Sequence, residues 1–488
     1  MLKLDGKSID FNVFCDAMHA VKRIECGQDV FERIKSAQQH VALLSKGEKP
    51  IYGMNTGLGA NLTYRLKPDE IPEFQKVILR GRAVACGEPL PPEISRGALL
   101  ARIISATTGL SGISLELFHH LCQFYQAGLA PIVPEFGSIG AGDLTQNASL
   151  ALSVIGEGEV WNGQDRSKSN RVLEQLNISV PALGPKDAMV LINHSGMSVA
   201  RAAHALKNAQ MALQMIKCAT VLSFEGYAAN KTILERDLNN IRLAPGQTEC
   251  AEWFSEMLSE AEYEPRRIQE ALSFRTVASV FGAAQASLNN AIDVLEAELL
   301  GSSDSPVILE DGEMLSTANF HSPALALALE NVALAVASVS NGSVQRVQKM
   351  MNPDLSGLPR YLSPLGQGAA GMVPVQKTAA ALLAEIRRHA VPVAFDPAPV
   401  SDAVEDVAPM TSQSASKLDE QARSVKLLAG IEALVACQAL DMREAKKCGK
   451  LTRNIWPAIR KVVPMLREDR PLSDDIHLAA KCLENQVL

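Results

Sequence analysis

The chain has 488 residues, 47% of them hydrophobic and 21% charged, an ordinary globular composition and too apolar for disorder. Its 47 basic and 54 acidic residues leave a formal net charge of −7, so no net positive field draws it to nucleic acid or to an anionic membrane. Nine cysteines are scattered without a C-x-x-C pair, which fits neither a zinc site nor a disulfide scaffold and points to a reduced, cytoplasmic setting.

The first residues, 1–14, show neither an uninterrupted apolar segment nor a small-residue cleavage site, so they do not read as a secretory signal. Up to residue 190 the chain is punctuated by glycine and proline: Tyr52-Gly-Met-Asn-Thr-Gly-Leu-Gly59, Gly87-Glu-Pro-Leu-Pro-Pro92, and Phe136-Gly-Ser-Ile-Gly-Ala-Gly-Asp-Leu144. Helical patterns over 92–108 and 114–127 separate these loops. In the third loop the glycines permit positive φ, and Asp143 is placed to cap the helix that follows. Gly57-Leu-Gly59 lacks the strand, helix and third glycine of a dinucleotide site. Asn147-Ala-Ser149 matches a glycosylation sequon in form only.

From residue 191 to 488 the pattern changes to long helices. Apolar residues recur at i, i+3, i+4 and i+7 over 199–224, 277–300, 322–351, 375–389 and 414–445. Strand signals are few and short, the clearest at 305–309. The apolar tract from Ala324 to Val339 contains Glu330 and Asn331 and falls short of the ~20 residues of a membrane span, so it reads as a buried core helix. The chain therefore divides into an N-terminal helix-and-loop region, 1–190, and a helical region, 191–488. With 5% aromatic residues, its core is packed mainly from Ala, Leu, Val and Ile.

Eight short motifs occur in order: Tyr52-Gly-x-Asn-Thr-Gly-x-Gly59, Gly87-Glu-Pro-Leu90, Val133-Pro-Glu-x-Gly-Ser-x-Gly140, Gly156-Glu-Gly158, Gly184-Pro-Lys186, Leu191-Ile-Asn193, Asn319-Phe-His321 and Leu355-Ser-Gly-Leu-Pro359. Together they resemble the histidine and aromatic amino-acid ammonia-lyase family across nearly the whole chain. The resemblance implies an all-α, long-helix bundle of the fumarase/aspartase-like superfamily, assembled as a homotetramer with active sites built from several subunits. It also implies roles for individual residues. Tyr52 matches the flap tyrosine that removes the β-proton, and Asn193 the asparagine near the reacting amine. Arg275 matches the arginine that grips the substrate carboxylate, as its forked guanidinium suits. Phe320 matches a site aromatic, and Glu405 the glutamate that histidine-specific members place near the imidazole.

The departures from the family pattern bear directly on chemistry. The family forms an electrophilic methylidene-imidazolone from an Ala-Ser-Gly tripeptide before an Asp-Leu pair. Here the residues are Ala141-Gly142-Asp143-Leu144; with no serine to dehydrate, no methylidene carbon forms, and Ser138 is out of register. No prosthetic group and no metal are expected. Arg82 replaces a substrate-selective His or aromatic residue, and Leu272 replaces the tyrosine of the Gln-x-x-Tyr motif. Lys377 stands among apolar helix neighbours at a normally apolar position, where a lysine is rarely buried without a partner. Because the resembling family's helix here runs beside the active site, a lysine in the site is favoured over one turned to solvent.

Elimination from an α-amino acid is slowed by a poor amine leaving group, which the electrophile activates by alkylation. A quaternary nitrogen leaves as a neutral amine without that help. The expected substrate is therefore a small betaine of an aromatic amino acid, and in this respect the chain resembles the ergothionases, which split ergothioneine into thiourocanate and trimethylamine. The retained Glu405 and the absence of a large aromatic cluster favour an imidazole-like ring over a phenyl one. In this reading Tyr52 is the base, Lys377 with Glu405 handles charge or a proton at the ring, Arg275 binds the carboxylate, and Arg82 contacts the carboxylate or the sulfur. Two other readings stay open: a histidine or aromatic ammonia-lyase or aminomutase, and a non-catalytic relative.

Overall fold

The computed structural model describes residues 1–47, 51, 53–56, 66, 70–163, 165–394, 399–443 and 447–487. They form two compact units of interleaved segments. The first comprises Met1–His204, Ile292–Leu327 and Val393–Ser416; the second comprises Ala205–Ala291, Ala328–Pro392 and Lys417–Leu488. Each unit is thus built from three segments that alternate along the sequence.

In the first unit, helices α1 (Pro92–Ala106), α2 (Leu115–Gln126), α3 (Leu144–Val154) and α4 (Asp187–Ile192) surround short sheets. α1 begins with proline at its first position, where no amide partner is lost. α2 is capped by Ser114, whose hydroxyl accepts from the Leu117 amide at 3.3 Å. β1 (Leu2–Leu4) pairs in parallel with β2 (Ile24–Cys26). β3 (Cys86–Pro89) pairs antiparallel with β5 (Pro134–Phe136), and β4 (Ala130–Pro131), β6 (Glu159–Asn162) and β7 (Asp165–Lys168) form a three-stranded sheet. The strand expected at 305–309 is reduced to β8 (Val307–Ile308), paired with β9 (Met314–Leu315). The other strands escape sequence reading because two to four residues are too few to show a period of two.

Long helices dominate the rest: α5 (Gly196–Tyr227), α7 (Val277–Leu300), α8 (Pro323–Met350), α9 (Val373–Arg388) and α10 (Thr411–Arg443), with the one-turn α6 (Leu272–Arg275) before α7. Their ends fall within a few residues of the sequence expectation. α5 is buried around nearly its whole circumference from Ala205 to Tyr227, as a helix in the middle of a bundle is. α8 is long and apolar enough to cross a membrane by length and composition alone, and more than half of its apolar stretch is buried inside the chain. The one charge in its apolar run, Glu330, is neutralised by Lys417 of α10.

Candidate active site

The loop that departs from the family pattern is held open by backbone geometry that glycine alone supplies. Gly142 has φ +80, and a Cβ built there would stand 2.5 Å from Asn193 Oδ1. Gly140, at φ +78, brings its backbone to the Thr411 amide, where a Cβ would approach to 2.7 Å. The Gly142 amide donates to the Phe320 carbonyl (3.1 Å), and its own carbonyl accepts from the His194 amide (3.2 Å) and Asn147 Nδ2 (3.2 Å). Ala141 pairs with His321 as an antiparallel bridge. The loop is therefore stitched to both the 193–195 and 320–321 segments.

Asp143 follows in the left-handed region (φ 49), which a short polar side chain tolerates. It stands at the start of α3 but does not cap it. Its carboxylate accepts instead from the Ser198 amide and hydroxyl, both at 2.7 Å, and from the Ser138 hydroxyl. The expected cap is thus a cap of α5, at its third residue. Complete burial pushes the Asp143 carboxyl above its ordinary range, against the Ser138 and Ser198 hydrogen bonds that favour the anion. Ser138 is committed to this contact and to the Gly140 amide (2.9 Å).

Asn193 is buried and donates through Nδ2 to the Ser305 carbonyl at 2.9 Å. With its donor group used, the side chain turns its carbonyl oxygen toward position 142. Beneath it, Ser303 Oγ accepts from the Ser195 amide (3.0 Å), and Arg102 pairs with Asp304 at 3.0 Å, both 1% exposed. Lys186 is buried with them and donates to the Ser111 carbonyl; burial brings it down to about 8. Burial and the Arg102 charge take His194 to about 3, so it is neutral. Its Nδ1 accepts from the Gly196 amide (3.0 Å), which leaves the proton on Nε2, facing the Leu191 carbonyl at 3.2 Å. Sequence reasoning missed this support. Asn147, a sequon in form, is fully buried and donates to the carbonyls of Ile192 and His194 as well as Gly142.

Among the expected site residues, Asn193 and Phe320 are brought together with Gly142 in the first unit. A Cβ at Gly142 would lie 3.7 Å from that of Phe320, which is half-buried. Arg82, also in the first unit, is half-buried and reaches the Ile78 carbonyl at 3.4 Å. Glu405 is half-buried, pairs by backbone with Val400 and accepts from Ser401 Oγ at 3.0 Å. Arg275 and Lys377 belong to the second unit. Arg275 ends α6 and is exposed, with Nη1 at 3.5 Å from Gln269 Oε1; Leu272 beside it is 66% exposed. Lys377 does not share the buried face of α9, which is Val375, Ala379, Leu383 and Ile386. It lies on an exposed face with Ala380, Ala381 and Ala384, at spacings of three, four and seven. Tyr52 lies outside the described residues.

The family model for aromatic amino acid lyases matches residues 11–461. The histidine ammonia-lyase of Deinococcus radiodurans is 32% identical over 96% of this chain and 91% of its own length. The solved structure of the ergothioneine-degrading ergothionase of Treponema denticola superposes with a TM-score of 0.96 at 29% identity, covering 100% of this chain and 99% of the other. That of histidine ammonia-lyase from Trypanosoma cruzi gives 0.91 at 29%, covering 99% and 93%. The mainly helical fold, the motifs around Gly142 and Asn193 and these matches agree: the chain belongs to the aromatic amino acid lyase family of carbon–nitrogen lyases.

Proposed function

We propose that the enzyme eliminates a tertiary amine from an imidazole-like aromatic amino-acid betaine, with ergothioneine as substrate and thiourocanate and trimethylamine as products, and that it does so without a methylidene-imidazolone. The carrying observation is the sequence Ala141-Gly142-Asp143 in the place of Ala-Ser-Gly. The residues do not fit that prosthetic group: nothing there can be dehydrated, and Asn193 Oδ1 occupies the space of a side chain at 142. An acceptor oxygen pointing there suits a cationic nitrogen.

In this mechanism Tyr52 takes the β-proton, the electrons of that C–H bond form the Cα–Cβ double bond, and the Cα–N bond breaks toward nitrogen. Trimethylamine leaves neutral. Lys377 and Glu405 together stabilise charge delocalised into the thioimidazole ring, which in a dry site is the larger electrostatic contribution. Arg275 grips the carboxylate, and Arg82 contacts the carboxylate or the sulfur. Purified enzyme incubated with ergothioneine should generate the ultraviolet absorbance of a conjugated acrylate and release trimethylamine, and its intact mass should equal the sequence mass, with or without the initiator methionine. Turnover of histidine alone, or a mass lower by two waters, would overturn the proposal.

The same reading includes a homotetramer. Its support is helix surface left exposed on a single chain. α8 exposes Leu327, Asn331, Leu334, Ser338 and Asn341 at alternating spacings of four and three, the seam of helices that pack against other helices, and α9 exposes the alanine face carrying Lys377. Sedimentation at micromolar concentration should give a species four times the 52.4 kDa chain. A stable monomer would count decisively against it.

A further inference from the structure

Arg275 is exposed and ends a helix of only four residues, a poor foundation for a group that must meet a carboxylate in a fixed orientation. The surroundings of α6 compensate. Phe274, fully buried, stacks on Tyr227 with ring centroids 4.5 Å apart and meets Phe224 edge-on at 5.4 Å. Ser273, on the other side of Phe274, is held through its backbone: its carbonyl accepts from Arg346 Nη1 at 2.9 Å.

Arg346 is itself 2% exposed, and each of its three guanidinium nitrogens donates a hydrogen bond. Its Nε and Nη2 donate to the two oxygens of Glu432 at 2.6 and 3.0 Å, and Nη2 also donates to Thr220 Oγ1 at 2.8 Å. Glu432 is wholly buried and receives a further hydrogen bond from Ser223 Oγ at 2.7 Å. A buried two-point pair of this kind is a weak source of stability, because desolvation of both ions offsets their attraction. What it provides is orientation: the planar guanidinium is locked on one edge by Glu432 and directs Nη1 at one backbone carbonyl. That carbonyl lies two residues before Arg275.

We infer that Arg346 and Glu432 are positioning residues for Arg275, setting the direction in which its guanidinium is presented to the substrate carboxylate. The inference rests on the proposed carboxylate-binding role of Arg275. The pair touches no substrate and acts through the Ser273 carbonyl alone, so its loss weakens carboxylate binding equally in the ground and transition states. Such a loss raises KM and leaves kcat nearly unchanged.

The test is a double-mutant cycle on the full-length enzyme with ergothioneine as substrate. Arg346→Lys keeps a cation for Glu432 but replaces the planar fork with a single ammonium. It should raise KM about tenfold with kcat altered less than about threefold. In an Arg275→Ala background the same substitution should raise KM no further, since both act on one interaction. If Arg346→Lys does not fold, the paired replacement Arg346→Met/Glu432→Leu removes both buried ions at once and should give the same shift in KM. A shift that adds to that of Arg275→Ala, or a lowered melting temperature with KM unmoved, would make the pair purely structural and overturn the inference. An unchanged KM in Arg275→Ala would instead overturn the role of Arg275 itself, and the clamp's function with it.

Discussion

Lys377→Met is expected to lower the turnover of ergothioneine by roughly 10²–10⁴-fold, the range associated with a lost positioned acid or base, without a comparable loss of stability. Methionine keeps the unbranched stem and removes the ammonium. Lys377 is exposed on the single chain and belongs to the face of α9 opposite its buried residues, so no intrachain core contact is lost. Tyr52→Phe should be as damaging, because it deletes the proposed base and leaves the ring. Initial rates from acrylate absorbance, with circular dichroism as the control for folding, distinguish the outcomes. Near-normal release of trimethylamine by Lys377→Met would remove the lysine from the mechanism and return it to a surface role.

Asp304→Asn is expected to be the most destabilising single change near the site, by about 3–5 kcal/mol, because it leaves buried cations without their counter-ion. That is a large part of a typical stability of about 5–15 kcal/mol. Arg102, the direct partner, has Nε and Nη2 without hydrogen-bond acceptors among the described residues, and Lys186 also lies in the field of Asp304. Burial pushes the Asp304 carboxyl up, but the Arg102 and Lys186 charges outweigh it and hold the group below its ordinary value of 3.8. A depressed carboxylate stabilises the fold above its unfolded pKa, and that contribution is lost as pH falls through the folded value. The wild-type urea midpoint should therefore drop on acidification below about pH 4, while Asp304→Asn should lack this part of the dependence. Both midpoints need the same protein concentration if the enzyme is oligomeric. Asp29, in the exposed pair with Arg33, is the comparison: Asp29→Asn should leave the midpoint essentially unchanged. If Asp304→Asn moved it no further than Asp29→Asn, the buried cations would have some other compensation.

The long helices were legible in the sequence because each repeats a 3.6-residue apolar pattern over four or more turns, as 277–300 and 322–351 do, and such a signal accumulates with length. The missing serine at Ala141-Gly142-Asp143, on which the proposed absence of a methylidene-imidazolone rests, was equally legible, since it is read at one position. The motif positions of Asn193, Arg275 and Glu405 were legible in the same way, each inside a contiguous motif, and the roles given to them belong to the proposed function. What the linear order does not carry is the pairing of distant groups. That Asp143 caps α5 rather than α3, that Asn147 ties the loop carbonyl of Gly142 to those of Ile192 and His194, and that Arg346 holds the turn bearing Arg275 all depend on residues between 45 and 73 positions apart. Lys377 shows the limit from the other side. Its apolar neighbours in sequence suggested burial, but at about 100° per residue Val375 and Ala379 turn inward while Lys377 turns outward. Periodicity specifies which residues share a face of a helix, and only packing in three dimensions decides which face is covered.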